Sequence, residues 1–233
     1  MELPAAKHTL GDFDDALRSL RDTVLMMASL TERLLASASE SLSARSFEAC
    51  ERVIADDAEI DNLEKSVDEA GVAILVRFQP LANDLREVVA AMKVSTNLER
   101  VGDQAVGIAR RARRLNEARA LPETDGLVKM CRVAAGIFRD SIRSYADRDE
   151  ALARGLKGRD RELDAMHHAF IDQLTARMAD DTGRIRDYLD LVLMARNLER
   201  VGDHATNIAE DAVFAASAED IRHTTPAPGA GAS

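Results

Sequence analysis

Asn97-Leu98-Glu99-Arg100-Val101-Gly102-Asp103 recurs, residue for residue, as Asn197-Leu198-Glu199-Arg200-Val201-Gly202-Asp203. The two copies start 100 residues apart in a chain of 233. An identity of that length near half the chain identifies an internal duplication, and with it one structural unit used twice. Both copies contain Glu-x-x-x-Asp, so each also places two carboxylates one helical turn apart.

The periodicity on either side of the motif is helical. The ladder Leu85, Val88, Met92, Val94, Leu98, Val101, Ala105, Ile108 steps mostly by three and four, and so does Leu189, Val192, Leu198, Val201, Ala205, Ile208. The same reading predicts six helices, three per half. The first runs from about Asp12 to Leu42 through Leu17, Leu20, Val24, Met27, Leu34 and Ala38. The second runs from about Phe47 to Phe78, with Ser46 as its N-cap, and the third to about Leu115 with Pro80 in its first turn. The second half repeats the plan at about Leu127–Asp147, Glu150–Met178 and Ile185–Ala216. Leu121-Pro122-Glu123-Thr124-Asp125-Gly126 divides the halves. The expected architecture is all-α: two tandem antiparallel three-helix bundles related by duplication. The first bundle takes residues 1–120, the second 121–222, and 223–233 form a disordered tail.

Composition agrees with long helices. Hydrophobic residues make up 46% of the chain, enough for a core, while aromatics are 3%, which disfavours a sheet. The formal charge of −10 argues against a general nucleic-acid binder, whose phosphate partner calls for a basic surface. Cys50 and Cys131 lie far apart in sequence and read as small buried helix residues. The N-terminal Met1-Glu2-Leu3-Pro4 lacks the features of a signal peptide, and no apolar run approaches the ~20 residues of a membrane span, so a cytoplasmic protein is expected.

The acids form a pattern. Glu99 and Asp103 continue the apolar stripe Leu85, Val88, Met92, Thr96; the second copy follows a more polar stripe with Arg196, so its inward placement is less expected. Asp57-x-x-x-Asp61 and Asp160-x-x-x-Asp164 lie on the second helix of each half, with Ile60 and Leu163 before the last Asp. Two pairs per half on neighbouring helices bring four acids together if both face the shared seam. Such acids share protons, pair with Arg, or bind a cation. Oxygen-only donors suit Mg, Ca or Mn, with iron a further candidate, and suit tetrahedral zinc poorly. The competing reading is a set of solvated helix faces with Arg100 and Arg200 alongside. Gly102 and Gly202 leave room beside each acid, and a Gly inside a helix implies a packing or ligand reason. His204 reads as an ordinary polar helix residue, His167 and His168 as surface residues or supports behind the acids, with ligation the lesser alternative, and the run Arg110, Arg111, Arg113, Arg114 as cations placed at a helix C-terminus in preference to a patch for an acidic partner.

Taken together, the duplicated three-helix units, the twin Leu-Glu-Arg-Val-Gly-Asp segments, and Gln79-Pro80 with Asp84-Leu85-Arg86 resemble the PhoU family over nearly the whole chain, as far as Asp220-Ile221-Arg222-His223. The resemblance implies a cytoplasmic, often dimeric all-α regulator that represses the phosphate-starvation response. It implies contact with the ATPase subunit of a phosphate ABC transporter and with a sensor histidine kinase, touching the membrane only through such partners. It also implies divalent or trivalent metal ions on Asp57, Asp61, Glu99, Asp103, Asp160, Asp164, Glu199 and Asp203. No nucleophile–base pair or phosphate-binding glycine loop is recognisable, so a non-enzymatic adaptor is expected. The alternatives are a carboxylate-bridged metalloenzyme, although Glu-x-x-His is lacking at both Glu99 and Glu199, and a regulator of another phosphate permease.

Overall fold

The structure is a computed structural model that describes residues 5–221. They fold as α1 (Ala5–Ser43), α2 (Phe47–Phe78), α3 (Ala82–Glu117), α4 (Thr124–Asp147), α5 (Glu150–Asp180), a 3-10 turn (Thr182–Arg184) and α6 (Ile185–Ser217). No strand occurs among the described residues. No helix among them is long and apolar enough to cross a membrane. Met1–Pro4 and the expected disordered tail, 223–233, lie outside the described residues.

Local chemistry explains where the helices begin and end. Ser46 caps α2, its hydroxyl accepting from the Ala49 N–H at 3.1 Å, and Asp149 caps α5 in the same way through the Leu152 N–H at 2.9 Å. Each such cap contributes roughly 1 kcal/mol. Arg45 closes the far end of α3, donating to the carbonyls of Leu115, Asn116 and Ala118 (3.2, 2.8 and 2.5 Å). Carbonyls at a helix C-terminus lack intrahelical partners; that of Leu115 also accepts from the Ala118 N–H (3.1 Å). Three expected limits shift. α1 begins at Ala5 rather than near Asp12. Pro80 stands outside α3, because Gln79 takes a left-handed conformation (φ 49°) to end α2 and a second reversal at Ala82 (φ 48°) starts α3. α4 begins at Thr124, since the carbonyls of Leu121, Pro122 and Glu123 already accept helical-type bonds from Thr124, Asp125 and Gly126.

α1, α2 and α3 pack as one bundle and α4, α5 and α6 as the other; α3 lies along α6, and α1 along α4. The α3–α6 pairing is antiparallel. His204 hydrogen-bonds Asn97 (3.1 Å), Asn197 donates to the Gln104 carbonyl (3.3 Å), Lys93 meets Asp211 (3.4 Å) and Arg114 meets Asp190. Equivalent residues 97 and 197, or 104 and 204, thus exchange partners across a pseudo-two-fold axis near Arg100 and Arg200.

The ladders form one continuous apolar core, in which Leu20, Val24, Met27, Ile60, Val67, Leu98, Ile108, Ile137, Phe138, Leu163 and Leu198 are buried. Two expected members are exposed instead, Leu85 and Leu189, because they sit near the starts of α3 and α6, close to the hairpin tips. Cys50 and Cys131 are free and buried, and burial pushes the Cys131 thiol up to about 12.

Candidate carboxylate centres

Each expected pair of acids reaches its seam, at the rim rather than inside it. Asp57 and Glu99 are half-buried where α2 meets α3, with Asp61 and Asp103 exposed beside them. Asp160, Asp164 and Glu199 are half-buried where α5 meets α6, and Asp203 is exposed. The two seven-residue motifs have the same burial at all seven positions. The second copy is therefore seated like the first, contrary to the expectation drawn from Arg196. Both Thr96 and Arg196 point to solvent, so neither belongs to the buried stripe.

The glycines bring the helices close enough for this. A Cβ on Gly102 would stand 3.2 Å from Ile60 Cδ1 and 3.9 Å from Asp57 Oδ1. On Gly202 it would stand 2.6 Å from Asp160 Oδ1 and 2.8 Å from Leu163 Cδ2. The α2 and α5 aspartates therefore rest against the backbone of α3 and α6.

Crowding and burial disfavour full ionisation. Glu99 is pushed up to about 7 by desolvation, then by Asp103, against the opposing pull of Arg100; Glu64 and Asp61 add to the rise. Asp57 is raised by desolvation, Asp61 and Asp103. In the second half Asp160 rises to about 6 through desolvation, Asp164, Asp203 and Glu199, and Asp203 rises through desolvation, Glu199 and Asp164. Two carboxylate oxygens, Glu99 Oε2 and Asp160 Oδ1, are buried without a well-formed hydrogen bond, although the Thr206 hydroxyl lies near enough to Asp160 to oppose part of its rise. Arg100 approaches Glu99 Oε2 at 3.4 Å and Asp103 at 3.6 Å, a partial compensation. Orphaned acceptors among mutually repelling acids are what a cation would relieve. The donors fit a hard, oxygen-seeking ion. Even so, no three His, Cys, Asp or Glu side chains among the described residues are arranged as a closed set of ligands.

Sequence reasoning missed one member of the first row. Glu64 lies seven residues after Asp57 and three after Asp61, on the same helix face, and it is raised by desolvation and Asp68. That spacing was a readable signal. His168 is exposed, with Nδ1 2.7 Å from the Asp164 carbonyl, and His167 stacks edge-on against it (5.6 Å). His204 is more than an ordinary polar helix residue: it belongs to the α3–α6 seam, and burial lowers its pKa, helped by Arg100 and Arg200. The arginine run also does more than line a helix end. Arg113 pairs with Glu51 (2.7 Å), while Arg111 and Arg114 reach Asp190 across the seam.

Comparison with known proteins gives the same architecture a family. The PhoU domain matches residues 24–112 and 127–212, once in each half. The chain is 35% identical to the phosphate-specific transport system accessory protein PhoU homolog of Xylella fastidiosa, over 92% of this chain and 89% of that one. It is 37% identical to the PhoU homolog of Zymomonas mobilis, over 94% and 92%. The crystal structure of PhoU from Pseudomonas aeruginosa superposes with a TM-score of 0.86 at 29% identity, covering 89% of this chain and 100% of that one. The phosphate transport system regulatory protein PhoU from Streptococcus pneumoniae shares the fold (TM-score 0.83, 23% identity, 90% and 99% covered). With a domain match in each half and relatives aligned over nearly its full length, the chain belongs to the PhoU family.

Proposed function

We propose that this protein is an accessory protein of a phosphate-specific transport system, acting in the cytoplasm as a negative regulator of the phosphate-starvation response. The observation that carries this reading is the family match in both halves, with the twin acidic motif intact in each. Relatives that align over nine-tenths of the chain bear the name of accessory protein of that system. As an adaptor it would dock on the transporter's ATPase subunit and on a sensor histidine kinase, and assemble as a homodimer. We take its role as non-enzymatic, a reading supported by the naming of its relatives as accessory proteins. Deleting the gene in a strain carrying a phosphate-responsive reporter should give constitutive expression in high phosphate. Normal repression in the deletion strain would overturn the regulatory reading.

The carboxylate rows would hold divalent or trivalent cations: Asp57, Asp61, Glu99 and Asp103 at one rim, Asp160, Asp164, Glu199 and Asp203 at the other. A bound cation would neutralise the repulsion and tie α2 to α3 and α5 to α6. Its role would be to fix bundle geometry, with Gly102 and Gly202 keeping the paired helices close. Elemental analysis of protein never exposed to chelator should find metal, and its removal should lower the melting temperature. Metal-free protein with an unchanged melting curve would dispose of the cation.

A further inference from the structure

α6 lies between α3 and α5, which do not touch each other among the described residues, so one strip of α6 faces outward. Its apolar residues recur at four-residue spacing: Ile185 is 39% exposed, Leu189 48% and Leu193 39%. Arg186 and Arg196 stand exposed beside them, and neither is in an ion pair among the described residues. α3 adds cations along one edge. Arg114 reaches across to Asp190, the residue after Leu189, and shares it with Arg111. Arg110, one turn earlier, is exposed and acts electrostatically on Asp57. Glu117 closes the end of α3. Five arginines thus stand against three carboxylates, in a chain whose formal charge is −10. Arg184 and Asp187 neutralise each other at the start of α6 (2.8 Å). Beyond Arg196 the sign changes, where Glu199, Asp203 and Asp164 of the second carboxylate row gather around Arg200.

The first half differs at the same place. The equivalent strip on α3 keeps Leu85 and Arg86 and has Val89 for Leu189, but Lys93 and Thr96 stand where the second half has Leu193 and Arg196. On the facing helix Glu210, Asp211 and Phe214 replace Arg110, Arg111 and Arg114, and Asp211 holds Lys93 at 3.4 Å. Both hairpins therefore expose apolar residues here, and the surplus of cations belongs to the second alone.

We propose that this face docks an acidic amphipathic helix of a partner protein, with its apolar side chains on Ile185, Leu189 and Leu193 and its carboxylates on Arg110, Arg114, Arg186 and Arg196. Between residues 185 and 196 the strip is about 17 Å long, three turns of helix. Apolar anchors at four-residue spacing are what a helix laid alongside meets. Guanidinium forks take carboxylates in bidentate pairs. The apolar residues alone would accept any hydrophobic segment; the arginines make an acidic one the match, and the carboxylate row beyond Arg196 repels it from the next register. An anionic lipid surface shares the charge, but its breadth would also set it against the exposed Asp103 and Asp203, which a single helix avoids. The proposal goes beyond the accessory-protein reading and needs neither a transporter nor bound metal.

The test is an NMR titration of the full-length ¹⁵N-labelled chain with the peptide acetyl-Glu-Leu-Leu-Glu-Glu-Leu-Leu-Glu-Glu-Leu-Leu-Glu-amide, beside its counterpart with lysine for every glutamate. The acidic peptide should give saturable shifts in the amides of residues 107–114 and 185–196 and none along 85–96. The lysine peptide should bind there at least about tenfold more weakly. Arg186→Gln/Arg196→Gln removes two cations that hold no carboxylate in the fold, so its spectrum should stay dispersed while affinity falls about tenfold. Leu189→Ser should lose a similar factor. Equal binding of the two peptides at these residues, undiminished binding by Arg186→Gln/Arg196→Gln, equal shifts along the first-half strip, or no saturable shift would overturn the proposal. So would binding to phosphatidylglycerol vesicles without binding to the peptide, which assigns the face to a membrane. Shifts of the strip on diluting the chain alone would assign it to a second copy and overturn the proposal as well. No transporter component enters the titration, so its failure leaves the accessory-protein reading standing.

Discussion

The two repeats carry the same seven residues at the same burial, yet their carboxylate rims are tuned differently. In the first, Glu99 on α3 is the acid pushed up to about 7. In the second, Asp160 on α5 is pushed up to about 6, wedged against the backbone at Gly202. The seam between the repeats has diverged further. Position 111 is Arg where position 211 is Asp, and each finds an opposite charge on the facing helix, Asp190 and Lys93 respectively. α3 therefore brings cations to the seam and α6 brings buried anions. Two identical helices meeting about a two-fold axis would have set like against like. The duplication thus kept the inner contacts and diverged at the contacts made with neighbours.

The inner equivalence is open to a direct attack. Leu98 and Leu198 hold the same place in the motif, 0% and 1% exposed. Leu98→Ala and Leu198→Ala should each cost about 2–5 kcal/mol, the range for a buried leucine, and the two losses should agree within about 1 kcal/mol. Urea denaturation measures both. A much smaller loss for one of them would mean that its half is loosely packed despite the shared sequence.

The difference at the rims has a signature in pH. The folded chain holds the proton on Glu99 up to about 7, against an ordinary value of 4.5. Between those values the folded state binds more protons than the unfolded state, so metal-free protein should lose stability as pH rises through the window. The effect is of the order of 1–3 kcal/mol, after allowance for the partial exposure of Glu99. Asp160 acts in the same direction over a lower window, from 3.8 to about 6. Glu99→Gln should flatten the upper part of the stability–pH curve, and Asp160→Asn the lower part. Identical effects of the two substitutions would erase the distinction between the rims.

What the sequence disclosed, and what it hid, follows from how each feature is encoded. The six helices and the rows Asp57/Asp61, Glu99/Asp103, Asp160/Asp164 and Glu199/Asp203 were legible because both rest on spacing within one helix. Rim placement was not, since a stripe drawn through Thr96 or Arg196 differs by one helical position from a buried one. The role of His204 was hidden for another reason: its partner, Asn97, is 107 residues away and polar, like any solvated side chain. The arginine run had the same ambiguity, because its acid, Asp190, lies on another helix. Leu85 and Leu189 continue their ladders in sequence but stand near hairpin tips, where periodicity carries no information about cover.

The smallest effect separates the halves most sharply. Alanine is favoured over glycine inside a helix by about 1 kcal/mol, so Gly→Ala stabilises wherever space allows. At Gly102 the new methyl would stand 3.2 Å from Ile60 Cδ1, a contact that a shift of a few tenths of an ångström relieves, and Gly102→Ala should be neutral or slightly stabilising. At Gly202 it would meet both Asp160 Oδ1 at 2.6 Å and Leu163 Cδ2 at 2.8 Å. Overpacking of that kind costs about 1–3 kcal/mol and outweighs the helix gain, so Gly202→Ala should destabilise by about 1 kcal/mol. The change should also push the Asp160 carboxylate toward water and bring its pKa down from about 6 toward 3.8. An NMR titration of Asp160 in that variant reads the displacement independently of stability. If Gly202→Ala stabilises and leaves the titration of Asp160 unmoved, the aspartate is not wedged against α6, and the two rims are alike after all.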